Sequence, residues 1–145
     1  MRFIARYKVG GRAWRLHERS RFERIAGLKD IAVKPTLGMQ EPWRYRNKVQ
    51  QPVGWLADKG IISGFYATGS HDIVAITDCK VQPKPSVALV NKARELLEKH
   101  GLRAYDGGRR TGWIRHLLVR TNRAGEALLV FVTRTEDFPH ERQIV

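Results

Sequence analysis

The clearest periodic pattern of apolar residues lies in the second half of the chain and predicts a helix. Between Ser86 and Gly101, apolar residues recur at intervals of three and four, which places them on one side of a helix. Ser86 is a suitable N-cap because its hydroxyl can accept a free backbone N–H, and Gly101 is a suitable end. The predicted stripe consists of Val87, Leu89, Val90, Ala93, Leu96 and Leu97.

Shorter apolar runs, separated by turn-forming links, predict strands. The links Ala67–Asp72 and Thr121–Glu126 carry the glycine and polar residues of hairpin turns. Hairpin strands with one main helix, over about residues 86–100, predict an α+β fold with an antiparallel sheet. A looser apolar pattern over residues 12–25 adds a less regular N-terminal helix, which Gly27 would end. The predicted strands are Ile31–Val33, Trp43 toward Pro52, Ile61–Tyr66, Ile73–Ile76, Trp113–Arg120 and Ala127–Thr133.

The stretch Trp43–Gln50 alternates two kinds of residue and predicts a strand with two different faces. Side chains two positions apart lie on the same face of a strand. A strand with one packed face and one cationic face is suited to an anionic ligand such as a phosphate backbone. One face would carry Trp43, Tyr45, Asn47 and Val49, and the other would carry Arg44, Arg46, Lys48 and Gln50.

The charge of the whole chain supports the same interpretation. Its 27 Lys and Arg residues exceed its 14 Asp and Glu residues, which gives a formal net charge of +13. A field of this sign attracts nucleic acid or, less often, an anionic membrane surface. The basic residues are spread along 145 residues, the length of one domain, which favours a folded basic surface over a disordered arm. A single Cys and no apolar run of membrane-spanning length lead us to expect a cytoplasmic protein that binds no membrane.

A second basic stretch, Gly107–His116, combines three glycines with arginines and a tryptophan. Glycines let the backbone approach a ligand closely, and adjacent arginines can clamp phosphates. The alternative is a flexible cationic hairpin end on a generally basic surface. In a regular strand, Trp113, Arg115 and Leu117 would share one face. The predicted RNA-contacting residues of the two stretches are Arg44, Arg46, Lys48, Arg109, Arg110 and Arg115; Trp43, Tyr45 and Trp113 would stack on bases or, for at least one of them, pack in the core.

Residue patterns typical of catalysis are absent from the sequence. The five His residues form no H-x-x-x-H or H-E-x-x-H spacing, and the glycines match neither the Walker nor the Rossmann phosphate loop. Cys79, the only cysteine, is by itself most often a small, semi-buried apolar residue. We therefore expect no catalytic residue and no metal site on this chain.

Six segments, read in order, carry a resemblance to a known family: Gly38–Gln50, Gly64–Tyr66, Gly69–Val74, Asp78–Cys79, Gly112–Leu117 and Leu129–Thr133. Together they resemble the central substrate-binding region of the S-adenosylmethionine-dependent RNA 5-methyluridine methyltransferases, which modify uracil C5 in ribosomal and transfer RNA. The resemblance implies that residues 19–142 form a central RNA-binding region, and that residues 1–18 are a basic segment without a family counterpart. It implies ribosomal or transfer RNA as the partner.

Departures from the family pattern are equally informative. Cys79 matches the fourth ligand of the family's iron–sulfur cluster, but residues 1–42 lack the three other cysteines, so we expect no cluster on this chain. The family's cofactor loop, nucleophilic Cys, general base Glu and Rossmann-like catalytic domain have no counterpart here either. The resemblance therefore implies that S-adenosylmethionine belongs to the complete enzyme and is not bound by this chain.

Two interpretations of this pattern remain open at the level of sequence. The first is the RNA-binding portion of an RNA uracil-5 methyltransferase, truncated and inactive alone, with a separate catalytic chain as one way to complete it. The second is a free-standing, non-enzymatic module that binds RNA or the ribosome and derives from the same family. A small autonomous enzyme is disfavoured, because the sequence offers no nucleophile paired with a base.

Overall fold

The structure, a computed structural model, describes residues 19–30, 32, 34 and 40–144. The chain divides into two compact units, Met1–Glu41 and Pro42–Val145. In the first unit residues 19–24 are helical, and Gly27 follows with a φ of 66°. The described part of the N-terminal helix is therefore confirmed, and so is its end near Gly27. Residues 12–18 of that helix and the ends of the strand predicted at Ile31–Val33 lie outside the described residues.

The second unit contains a five-stranded antiparallel sheet in the order β3-β2-β1-β4-β5. The first three strands form a meander, the main helix follows, and the last two strands form a hairpin beside β1. This arrangement confirms the predicted α+β class. The elements are β1 (Lys48–Leu56), β2 (Gly60–Tyr66), β3 (Ile73–Ala75), α1 (Lys84–Lys99), β4 (Ile114–Thr121), β5 (Ala127–Thr133) and the short helix α2 (Glu141–Ile144).

Both predicted hairpin links are turns held by their own polar groups. Between β2 and β3, the Ala67 N–H donates to the Asp72 carbonyl at 2.8 Å, and the intervening glycine adopts a left-handed conformation. Between β4 and β5, the Asn122 N–H donates to the Glu126 carbonyl at 3.0 Å. These local bonds explain why turn chemistry located the strand ends correctly.

Helix α1 covers one face of the sheet and encloses the core with it. Its start differs from the prediction: Pro83 is the N-cap, and Pro85 lies in the first turn, where a missing N–H costs little. Ser86 is instead fully buried, and its hydroxyl is hydrogen-bonded to that of Thr121 in β4. The end agrees, since Gly101 follows the helix with a φ of 65°. The core consists of Val49, Val53, Ile61, Val90, Ala93, Leu97, Leu102, Ile114, Leu117 and Val119.

The predicted strand from Trp43 is wrong in its first half, because β1 begins at Lys48. Arg44 has a φ of 56°, a left-handed conformation that interrupts an extended chain. The Arg44 and Arg46 N–H groups donate to the carbonyls of Lys80 and Val81, at 2.7 and 2.9 Å. Residues 43–47 therefore lie against the loop that precedes α1, and the alternation of two strand faces does not apply to them.

Candidate nucleic-acid interface

Arg44 is directed into the loop that precedes α1. Its guanidinium pairs with both Asp78 carboxylate oxygens, at 2.8 and 3.1 Å, and donates to the carbonyls of Cys79 and Gln82, at 2.8 and 3.0 Å. The hydrogen bond and charge of Arg44 lower the pKa of Asp78. Arg44 therefore stabilises the fold, because most of its guanidinium N–H groups donate to acceptors of its own chain.

Arg46 and Lys48, the other members of the predicted cationic row, are exposed. Their side chains have no hydrogen bond or ion pair within the described part of the chain. Lys48 is the first residue of β1 and lies opposite Arg120 of β4. These two residues remain available to an anionic ligand, unlike Arg44.

The three aromatic candidates have different surroundings. Trp113 is half-buried and packs against the core, so it supplies the core role that was foreseen for at least one of the three. Trp43 and Tyr45 are exposed, to 36% and 50%. The Lys80 ammonium lies 5.6 Å from the centroid of the Trp43 ring. Trp43 and Tyr45 therefore still offer ring surface on which a base could stack.

A group of arginines surrounds Tyr105 at the other end of the sheet. The Arg115 guanidinium carbon lies 4.2 Å from the centroid of the Tyr105 ring, and that of Arg134 lies 5.8 Å from it. Arg134 also donates to the Arg110 carbonyl at 2.6 Å. Guanidinium groups stacked on a ring keep their N–H edges free for a phosphate. We call Tyr105, these two arginines and the neighbouring loop residues Arg109 and Arg110 the Tyr105 cluster.

Arg134 was not among the predicted contacts. It follows β5 and lies 24 residues from Arg110 in the chain. The register of the β4–β5 hairpin brings it close, since Ile114 pairs with Thr133 and the Arg134 N–H donates to the Trp113 carbonyl. A local sequence pattern could not place Arg134 near Arg110, but a prediction of the exact β4–β5 register would have placed it there.

Asp106 fixes the loop that presents Arg109 and Arg110. Its carboxylate accepts the N–H groups of Gly108 and Arg109 at 2.9 and 3.1 Å, and these bonds lower the pKa of Asp106. Gly112 has a φ of 87°, and a β-carbon there would collide with the Ala104 carbonyl. This glycine therefore permits close approach of the chain's own backbone.

A β-bulge gives Arg115 an outward direction. The register of β4 and β5 shifts between Ile114 and His116, so Arg115 is the extra residue. It is exposed, whereas Leu117 is fully buried, which corrects the prediction that the two share one face. The neighbouring His116 is partly buried, and that burial, with a smaller contribution from Arg115, lowers its pKa.

The predicted RNA contacts therefore form two groups rather than one row. Arg115 lies five residues before Arg120 along β4, which corresponds to about 17 Å in an extended strand. Lys48 faces Arg120 at one end of this strand, and the Tyr105 cluster occupies the other end. An anionic chain lying along β4 would meet both groups.

Cys79 is half-buried in the loop held by Arg44. Within the described residues, no three His, Cys, Asp or Glu side chains converge on a position where they could hold a metal. The described residues therefore do not fit a four-ligand iron–sulfur cluster around Cys79. Also within that part of the chain, no helix has the length and apolar character needed to cross a membrane.

Comparison with known proteins relates the chain to RNA methyltransferases. No protein-family model matches it. It is 41% identical over 124 residues to an uncharacterized RNA methyltransferase of Bacillus cereus, and 39% identical over 124 residues to one of Halalkalibacterium halodurans. Each alignment covers 85% of this chain but only 27% of the relative, so the chain spans about a quarter of the length of these proteins.

A solved structure has a similar fold. The crystal structure of Pyrococcus abyssi tRNA (uracil-54, C5)-methyltransferase, in complex with S-adenosyl-L-homocysteine, superposes with a TM-score of 0.66. The match covers 92% of this chain and 31% of that one, at 21% sequence identity. At this identity the likeness establishes the fold alone.

Proposed function

We propose that this chain, a partial homologue of the RNA methyltransferase family, is the portion that holds RNA in a uracil-5 methyltransferase. The homologues support RNA as the ligand, and the Pyrococcus abyssi neighbour supports uracil C5 as the methylated position. Transfer RNA or ribosomal RNA would be the substrate of the complete enzyme.

The observation that carries this proposal is the Tyr105 cluster. The guanidinium groups of Arg115 and Arg134 lie over the Tyr105 ring and have no carboxylate partner in the described part of the chain. The loop that carries Arg109 and Arg110 is held by Asp106, whose ion pair with Arg109 is long at 3.9 Å. Such an arrangement has an excess of positive charge and several free N–H donors. Both features suit the phosphates of an RNA strand.

This chain would bind the RNA, and methyl transfer would take place in complete enzymes of the family. S-adenosylmethionine would be their methyl donor, as the S-adenosyl-L-homocysteine in the Pyrococcus abyssi neighbour suggests. We expect this chain alone to transfer no methyl group to RNA. Incubation with S-adenosylmethionine labelled on its methyl group tests this, and label in the RNA at a rate proportional to protein concentration would contradict it.

The binding itself is tested with a fluorescein-labelled transfer RNA transcript and fluorescence anisotropy over a series of salt concentrations. We expect binding whose logarithmic affinity falls linearly with the logarithm of salt concentration, by about 0.7 to 0.9 per phosphate contact. Binding that does not depend on salt, or no binding at low salt, would contradict the proposed function.

A further inference from the structure

An open groove of about 670 Å³ lies beside the β4–β5 turn, away from the Tyr105 cluster. We infer that this groove binds one unpaired nucleotide of an RNA strand, with the phosphate at Lys48 and Arg120. The inference rests on the proposed function and deepens it, because it adds a second binding position with its own chemistry. The groove is lined by Asn47, Lys48, Arg120, Thr121, Asn122, Glu126, Ala127 and Leu128; we call it the Lys48 groove.

A pair of like charges lies at the groove. Lys48 and Arg120 lie directly opposite each other in the antiparallel β1–β4 pair. Directly opposed residues have β-carbons about 5 Å apart, and like charges in this position destabilise a sheet. Both side chains are exposed, and neither has a carboxylate partner among the described residues. An anion between them would remove this repulsion, and a phosphate can accept hydrogen bonds from both.

The remaining groove surface offers an apolar side chain and a free amide that suit a base. Leu128 is 60% exposed and offers an apolar surface to the flat face of a base. The Asn47 side chain has no hydrogen-bond partner within the described residues, and an amide can both donate to and accept from a base edge. Its backbone is fixed, because the Asn47 carbonyl accepts the Thr121 N–H at 2.8 Å. A phosphate ion alone would bind the two cations and would make no use of the apolar Leu128 side chain or the Asn47 amide.

Glu126 limits what the groove can accept. Its carboxylate accepts a hydrogen bond of 2.6 Å from the Asn122 amide, and its negative charge would repel a second phosphate in the groove. One phosphate attached to an uncharged base therefore fits better than a run of closely spaced phosphates. This favours a single unpaired nucleotide over the backbone of a duplex.

The groove also lies in line with the Tyr105 cluster. Lys48 and Arg120 point to the sheet face opposite Val49 and Val119, which pack in the core with α1. The groove and the cluster are at the two ends of β4, about 17 Å apart along the strand. One RNA strand can therefore reach both, with its phosphates gripped at the cluster and a splayed nucleotide in the groove.

Nuclear magnetic resonance with two small probes tests the nucleotide claim directly. Inorganic phosphate should shift the backbone amide signals of Lys48 and Arg120. Uridine 5′-monophosphate should shift these signals and, in addition, those of Asn47 and Leu128. Equal shifts with both probes would overturn the nucleotide claim, as would shifts confined to the Tyr105 cluster.

Binding of a fluorescein-labelled, ten-residue oligouridylate tests the groove in RNA binding. The double variant Lys48→Gln/Arg120→Gln should bind about tenfold more weakly, since two charge-assisted contacts to phosphate are lost. The control Lys84→Gln/Lys99→Gln removes the same charge from α1, on the opposite side of the sheet, and should change affinity less than about twofold. Glu126→Gln should strengthen binding, because it removes the repelling carboxylate.

The outcomes distinguish this inference from the proposed function. The groove variant is Lys48→Gln/Arg120→Gln, and its control is Lys84→Gln/Lys99→Gln. If the unaltered protein binds the oligonucleotide and the groove variant has the same affinity as the control, the groove claim fails and the proposed function stands. If the oligonucleotide does not bind but uridine 5′-monophosphate shifts Asn47 and Leu128, the groove binds a free nucleotide, and both the proposed function and the place of that nucleotide in an RNA strand fail. The groove variant should also melt no lower than the unaltered protein, because it relieves a like-charge pair. A lower melting temperature would show that the two cations stabilise the fold and would contradict the inference.

Discussion

Two arginine-rich stretches of this chain look alike in sequence and differ in structure. In residues 43–48 the first arginine, Arg44, uses its guanidinium to hold the loop at Asp78. In residues 105–115, Arg115 lies over the Tyr105 ring, and the Asp106 carboxylate holds the backbone of the loop that carries Arg109 and Arg110. The first stretch uses an arginine to build the fold, and the second leaves its guanidinium groups available to a ligand. A count of basic residues does not distinguish a structural arginine from one that is available to a ligand. The hydrogen-bond acceptors near each guanidinium make this distinction.

The largest expected difference between the stretches concerns their tryptophans. Trp113 packs against the core, so Trp113→Ala should lower the free energy of unfolding by about 3 kcal/mol. Trp43 is exposed, so Trp43→Ala should lower it by less than about 1 kcal/mol. Urea denaturation of both variants gives the comparison. Equal losses would mean that the surroundings of the two rings do not differ as described.

Arg44 and Arg46 offer a second comparison within one segment. Arg44→Ala removes the bonds to Asp78, Cys79 and Gln82, and should lower the melting temperature by roughly 5 °C or more. Arg44→Lys should recover only part of the loss, because an ammonium cannot form the paired contact with a carboxylate. Arg46→Ala is the matched control, since its side chain is exposed, and its melting temperature should stay close to that of the unaltered protein. A stable Arg44→Ala protein would contradict the internal role of Arg44.

The Tyr105 cluster should show the opposite behaviour. Arg115→Ala should weaken binding to a labelled transfer RNA transcript about tenfold, since a charge-assisted contact is lost, and should leave the melting temperature nearly unchanged. Tyr105→Leu should weaken binding as well, because it removes the ring that orders two guanidinium groups. If Arg115→Ala unfolds the protein and leaves RNA affinity unchanged in the folded fraction, the cluster is structural.

The dependence of stability on pH should differ between His116 and Asp78, and this is a smaller effect. Burial lowers the pKa of His116, so the folded protein takes up a proton on this residue less readily than the unfolded chain. Its contribution to stability is complete above about pH 6.5 and is lost as the pH falls from there through the lower folded-state pKa. Asp78 also has a lowered pKa, and its contribution is lost only below about pH 3.9.

Thermal unfolding between pH 7.5 and 4.5 measures this difference. His116→Gln should flatten the decline in melting temperature between pH 6.5 and 5, whereas Asp78→Asn should leave that part of the curve unchanged in shape. An unaltered slope in the His116→Gln protein would show that another group carries the acid sensitivity in this range.

Local patterns predicted much of the fold correctly. The strands β2 and β5 and the end of α1 were placed from apolar runs and turn residues, because their boundaries are set by bonds between near neighbours. The start of α1 was misplaced. Ser86 was predicted to be the N-cap, but its buried hydroxyl is hydrogen-bonded to that of Thr121, 35 residues away. The order of the motifs along the chain indicated, without any of these contacts, the similarity to RNA methyltransferases that the comparison with known proteins also found.

The candidate site was predicted less well, because it depends on contacts between distant segments. The left-handed Arg44 and its bond to Asp78 span 34 residues, and no pattern within residues 43–50 indicates them. The bulge at Arg115 and the approach of Arg134 depend on the register of the β4–β5 hairpin. Basic residues were therefore found by composition, while their division into structural and available groups required the structure.

The salt dependence of RNA affinity in two variants tests most directly the claim that the available positive charge lies in the Tyr105 cluster. Arg115→Ala/Arg134→Ala and the charge-removing Arg44→Gln would be compared with the unaltered protein on a labelled transfer RNA transcript, at a temperature where circular dichroism shows all three to be folded. We predict that the cluster variant lowers the slope of logarithmic affinity against logarithmic salt by about 1.4 to 1.8, the equivalent of two phosphate contacts, and that Arg44→Gln leaves it unchanged. An unchanged slope in the cluster variant, together with a reduced slope in Arg44→Gln, would contradict the account.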